Sequence, residues 1–123
     1  MSEIPANTDF DLSFLYEIAD GSDEFIVESI DMFTLQTPQL MQEIEQGITT
    51  QNWQAAGAAA HKLKPNMGFF GMLNLQSMMQ EIESMCKSGA PEQSVLSQKL
   101  ANAKTIVDSN LIKLAEIKAE KQG

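Results

Sequence analysis

From Phe10 to Leu114 the apolar residues recur at spacings of three and four, and no stretch alternates with period two. That pattern predicts helices and no strands. A short first helix is expected around Phe10, Phe14, Leu15 and Ile18, with Asp9 or Asp11 as its cap and Asp20-Gly21-Ser22 as its end. Ser22 or Asp23 then opens a long helix whose inward stripe is Ile26, Ile30, Phe33, Leu40, Ile44 and Ile48. Pro38 lies inside that stripe, so either a kink near Thr37 or two abutting helices is expected, and the unbroken register favours the kink. Gly47 to Gln51 reads as a turn, and Asn52 as the cap of a helix from Trp53 to between Met67 and Gly71. A further helix begins near Met72, turns Leu75, Met79, Ile82 and Cys86 inward, and stops at Ser88-Gly89. Pro91 is placed to open the last helix, with Val95 or Leu96, Leu100, Ala103, Val107, Leu111 and Leu114 inward and frayed final turns up to Gly123. The fold class is therefore all-α: an up-and-down antiparallel four-helix bundle with a short extra N-terminal helix. Residues 1–8 are expected to be a flexible N-terminal tail and residues 9–123 a single domain.

The stretch from Trp53 to Gly71 breaks the usual rules of helix composition. Ala56, Ala60, Leu63, Met67 and Phe70 form a wholly apolar stripe that must pack inward. Beside it Gly57, His61, Lys64, Gly68 and Gly71 follow one another at steps of four, three, four and three, on one side of the helix and its exit turn. Each glycine in a helix interior costs about 0.5–1 kcal/mol relative to alanine. Pro65 adds to this by removing the donor to the His61 carbonyl. A face of small residues around an exposed imidazole suits the close approach of another macromolecule. Lys64, one turn on, supplies positive charge for an anion there, with a phosphoryl group as the favoured candidate.

Composition narrows the choice. A chain of 123 residues is one domain with room for one core. Cys86 is the single cysteine and has no internal disulfide partner, which suits a reducing compartment; a buried small hydrophobe is its ordinary role. The start Met1-Ser2-Glu3-Ile4-Pro5 has no basic segment followed by an apolar run, and no window reaches the length of a membrane span, so a cytoplasmic protein is expected. The net charge of −9 argues against nucleic acid and anionic membranes as partners. No lysine or arginine precedes Lys62, so the first two positive charges, Lys62 and Lys64, flank the only histidine on an otherwise acidic body. Such an acidic half can also be a solvated face that serves solubility. Five of the eight methionines fall between Met67 and Met85 and are expected to fill the core. One histidine cannot supply the two Glu-x-x-His motifs of a di-metal carboxylate bundle, and His61 with Cys86 cannot make a zinc site. No Ser-His-Asp, P-loop or dinucleotide signature is present, so autonomous catalytic turnover is not expected.

The run Ala60-His61-Lys62-Leu63-Lys64-Pro65-Asn66-Met67-Gly68-Phe69-Phe70-Gly71, with Leu75 and Glu81-Ile82-Glu83 after it, resembles the histidine-containing phosphotransfer (HPt) domain of multistep phosphorelays. His61, Leu63, Lys64, Gly68 and Gly71 match the family pattern of histidine, an apolar residue, lysine, small residues and glycine. Pro65 stands where many members carry glycine, and Glu83 where some carry glutamine and others an acidic residue. In layout the resemblance extends from about residue 10 to the C-terminus.

The resemblance implies that His61 is the phosphorylated nucleophile, taking a phosphoryl group from a receiver-domain aspartate and passing it to another. It implies Lys64 as the residue that stabilises the phosphate and Glu83 as a partner that orients the ring, with Gln80 as a weaker candidate for that role. Gly57, Lys62, Pro65, Gly68 and Gly71 are then expected to meet the partner. No cofactor is expected on this chain, and Mg²⁺ on the partner receiver. Receiver domains, including those of hybrid sensor histidine kinases, are the expected partners, and the chain is expected to be a monomer. Taken singly, each residue has an ordinary alternative: a solvated lysine at 64, a surface carboxylate at 83, close packing or a turn at the glycines. A bundle that binds a receiver or kinase without accepting phosphate is the alternative function.

Overall fold

The computed structural model describes residues 9–89 and 92–122, which form five helices and no strand. The helices are α1 (Ser13–Ala19), α2 (Asp23–Thr49), α3 (Trp53–Phe69), α4 (Leu73–Lys87) and α5 (Gln93–Gln122). They build a bundle in which α2 packs on α3 and α5, α4 packs on α3 and α5, and α1 lies against α2. The enclosed core contains Ile30, Ile44, Leu63, Met67, Leu75, Met79, Ile82, Leu96 and Leu114. Met67, Met72 and Met79 are fully buried within it, where unbranched thioethers fill irregular gaps. Among the described residues, no helix is long and apolar enough to cross a membrane.

Long-range polar bonds correct the expected start of the chain. The inward side of α1 is Leu12, Leu15 and Ala19, while Phe14 and Ile18 are exposed and Phe10 is half-buried. Phe14 instead meets Phe69 edge to face, with centroids 5.7 Å apart. The expected cap is also redistributed. Asp11 accepts from the Ser13 backbone N–H (2.9 Å) and hydroxyl (2.6 Å), just ahead of the helix. Asp9 serves a different helix, its carboxylate accepting from the Leu75 N–H in the first turn of α4 (2.9 Å). The buried Asn110 amide holds the Asp9 backbone at both its N–H and its carbonyl.

In α2, Ser22 caps the helix by accepting from the Phe25 N–H at 3.1 Å. The helix then runs through Pro38 to Thr49 as one element, not as two. One proline removes one hydrogen bond, and the buried residues Ile30, Phe33, Thr37, Met41 and Ile44 on either side outweigh that loss. Met41 takes the inward place expected of Leu40, which is half-buried. Gly47 lies inside the helix and not in the turn, and its lack of a side chain serves packing, since a Cβ there would stand 2.8 Å from that of Ala56. The turn is residues 50–52, with Gln51 at φ +57° and Asn52 capping α3 through the Ala55 N–H. Pro91 and residues 1–8 lie outside the described residues. In α5 the inward residue is Leu96, and Leu111 is half-buried. Its last turns are tied down and not frayed. Lys118 pairs with Asp31 at 2.5 Å and Lys121 with Asp23 at 3.5 Å, and Ile117 packs against the core.

Candidate functional site

The inward stripe of α3 is buried as its spacing predicts: Ala56, Ala60, Leu63, Met67 and Phe70. Because these side chains are small near the middle, α3 and α4 approach closely, and the polar residues beside the stripe face α4 across a narrow seam. His61 rises from this seam with its side chain 65% exposed. Its Nδ1 lies 3.0 Å from Oε2 of Glu83, whose own side chain is only 4% exposed.

Glu83 is the centre of the site. Its Oε1 meets the Lys64 ammonium at 2.6 Å and its Oε2 meets the Lys87 ammonium at 2.8 Å. Hydrogen bonds from Lys64, then from Lys87, hold its carboxyl down from 4.5 to about 2, against the opposing effect of burial. An ionised carboxylate only accepts hydrogen bonds, so the Nδ1 facing it carries the ring hydrogen. The Nε2 lone pair is then left on the exposed side of the ring. A neutral imidazole held in one tautomer, with its distal nitrogen free, is a directed nucleophile.

The other expected site residues fall into three groups. Lys64 is brought to the site, where its partly exposed ammonium lies 2.6 Å from Oε1 of Glu83 and donates to Oε1 of Gln80 at 2.7 Å. Gln80 therefore serves Lys64 and not the ring. Lys62 and Pro65 are exposed, on clefts that flank the histidine. The glycines do not form one open face. Gly57 is buried, and a Cβ there would stand 3.2 Å from that of Cys86. Gly68 is covered by the Gln76 amide, which donates to the Lys64 carbonyl at 3.1 Å. Gly71 has φ +68° and lies against the Asp11 backbone, where a Cβ would clash. Packing within the chain thus accounts for these glycines before any partner is considered.

Lys87 is the residue that sequence reasoning missed. It follows Glu83 by one helical turn, and Gln76, Gln80, Glu83 and Lys87 keep the same four-three-four spacing along α4 that Gly57, His61, Lys64 and Gly68 keep along α3. That matching polar stripe was the available signal. On one side of His61 a cleft of about 530 Å³ runs between the helices, lined by Trp53, Gly57, Ala58, Cys86 and Lys87 among others. Burial pushes the Cys86 thiol up from its ordinary value, as befits a packed and unreactive cysteine.

Compared with known families, the chain matches the Hpt domain over residues 28–118. Comparison with curated proteins and with solved structures found no match. The matched span includes all of α3 and α4, and with them the lone histidine, its buried carboxylate and both ammonium groups. An all-helical bundle with these groups gathered on one seam agrees with that match, and the chain belongs to the Hpt domain family, whose members are phosphocarrier modules of histidine phosphotransfer in phosphorelays.

Proposed function

We propose that His61 accepts a phosphoryl group from a receiver-domain aspartate and passes it to the aspartate of another receiver. One observation carries this reading: an exposed imidazole whose Nδ1 is bonded to a buried, ionised Glu83. In the forward step the Nε2 lone pair attacks phosphorus, an N–P bond forms, and the P–O bond to the aspartate breaks with its electron pair leaving on the carboxylate. The ring keeps its Nδ1 hydrogen and becomes cationic, and the Glu83 carboxylate offsets that charge. In the return step the second carboxylate attacks phosphorus and the ring leaves as neutral imidazole. The Lys64 and Lys87 ammonium groups, both on Glu83, keep the neighbourhood of the ring positive for an incoming phosphoryl group.

In this reading the chain supplies nucleophile and geometry, and Mg²⁺ belongs to the receiver. The partners are receiver domains, including those of hybrid sensor kinases, met by a cytoplasmic monomer. Lys62 and Pro65, both exposed around His61, are the proposed partner contacts, with Gly57 at the floor of the adjoining cleft. An up-and-down antiparallel order for α2 to α5 is part of the same proposal. It is supported by the turns at residues 50–52 and 70–72 and by the ring of helix contacts.

Incubation with a phosphorylated receiver tests the proposal. Label is expected on this chain in acid-labile, base-stable form, and His61→Gln is expected to abolish it. Uptake by the substituted protein would refute the assignment of His61. Equal receiver binding by both proteins with no labelling of either would favour a binding module that carries no phosphate.

A further inference from the structure

Two ammonium groups contact Glu83, and their settings differ. The Lys64 side chain is 20% exposed and its Nζ is shared by two acceptors, Glu83 Oε1 and Gln80 Oε1. Oε1 of Glu83 is buried and accepts no hydrogen bond among the described residues, so the Lys64 ammonium at 2.6 Å is the one charge that compensates it. Moving Lys64 away would therefore strip a buried carboxylate oxygen and a side-chain amide at once. The Lys87 side chain is 72% exposed and meets one oxygen only, Oε2. His61 Nδ1 already bonds that oxygen, so Oε2 stays satisfied when Lys87 departs. Lys87 and His61 also line the same cleft.

We infer that Lys87 is the cation that turns from Glu83 to the phosphoryl group once His61 is phosphorylated, and that Lys64 is a positioning residue that holds Glu83 in place. The inference rests on the reading of His61 as the phosphate carrier. It revises the expectation that Lys64 takes the phosphoryl oxygens. The charges around the ring are Lys62 and Lys64 on α3 and Glu83 and Lys87 on α4. Of the two cations on Glu83, the exposed one is exchangeable, because its departure leaves no buried group unpaired. Phosphorylation makes the ring a cation and tightens its hold on Oε2. It also adds an oxyanion on the solvent side, so Lys87 is released and attracted in the same event.

The test separates the two lysines without a receiver. The whole chain is phosphorylated with phosphoramidate, and the phosphohistidine is titrated by ³¹P NMR in wild type, Lys87→Gln, Lys87→Arg and Lys64→Gln. Lys87→Gln is expected to raise the phosphoryl pKa by about half a unit, since a nearby cation favours the doubly charged form. Lys87→Arg is expected to restore the wild-type titration. Lys64→Gln should leave that titration in place and instead alter the ¹⁵N signals of the unphosphorylated His61 ring, which report the tautomer that Glu83 selects. A Lys87→Gln titration identical to wild type would overturn the inference, and because Lys87 is exposed this arm stands even if Lys64→Gln fails to fold. Absence of any phosphohistidine signal in wild type would overturn the carrier reading beneath it.

Discussion

Three seams of this bundle carry lysine–carboxylate pairs, that between α4 and α5 through Lys99 and Glu81, and the other two differ in where the carboxylate sits. Between α3 and α4, Glu83 is buried and gathers Lys64, Lys87 and the His61 ring. Between α2 and α5, Asp31 and Asp23 are 50% and 60% exposed, and each meets one lysine, Lys118 or Lys121. The same chemical groups therefore do different work. An exposed pair is screened by water and salt and adds little to stability. A buried carboxylate needs a partner at each oxygen, and that need fixes the directions of Lys64 at Oε1 and of the His61 ring at Oε2. The α2–α5 pairs lie on the surface beside a helix end, whereas Glu83 lies buried against Nδ1 of the His61 ring.

The sharpest way to break this contrast is Glu83→Ala. Removing the buried partner of Lys64 is expected to cost about 3–4 kcal/mol in a urea melt, and the ¹⁵N spectrum should show His61 as a mixture of tautomers. A loss as small as that of an exposed pair would erase the distinction between the seams. Acid titration should give a slightly smaller effect. The folded carboxyl of Glu83 lies near 2 against an ordinary 4.5. Its contribution is thus present above pH 4.5 and is lost as pH falls toward 2, amounting to about 3 kcal/mol that Glu83→Gln should abolish.

Packing gives the next step down. Gly57→Val places branched carbons against Cys86, where even a Cβ would stand at 3.2 Å, and should cost about 2 kcal/mol as the α3–α4 seam opens. Gly68→Ala makes a useful contrast because it meets only the end of the Gln76 side chain, which can swing aside, and should stay within about 1 kcal/mol of wild type. The smallest effects belong to the exposed seam. Lys118→Gln and Lys121→Gln should each cost less than about 1 kcal/mol in thermal melts, and the difference should shrink in high salt. Lys121 also lies over the Tyr16 ring at 5.2 Å, so of the two its replacement should cost more.

Legibility in the sequence followed the range of the interactions involved. The buried faces of α3 and α4 were readable, since Ala56, Ala60, Leu63, Met67, Leu75, Met79, Ile82 and Cys86 repeat at helical spacing. The Ser22 and Asn52 caps were readable too, since each bonds an N–H three residues on. The inward side of α1 was not, because seven helical residues carry too few turns for a periodicity to choose between Phe14 and Leu15. Local spacing left Asp9 and Asp11 as equal candidates at the first helix for a similar reason: Asp11 accepts from Ser13 there, whereas the acceptor role of Asp9 lies at Leu75, far along the chain. The last turns of α5 looked unanchored because their partners, Asp23 and Asp31, belong to α2.

By itself the sequence determined an all-helical chain, a wholly apolar stripe on α3, and one histidine beside a lysine one turn away. Those features depend only on residue type and local spacing, which a helix converts directly into faces. Tertiary structure alone decided that Glu83 is a buried hub and not a surface carboxylate, that Lys87 shares an oxygen with the His61 ring, and that the glycines along α3 are covered by Cys86, Gln76 and Asp11. Each of these depends on how closely and in what register α3 meets α4 or the segment ahead of α1. That closeness is set by the packing of both helices together, and neither stretch of sequence holds it alone.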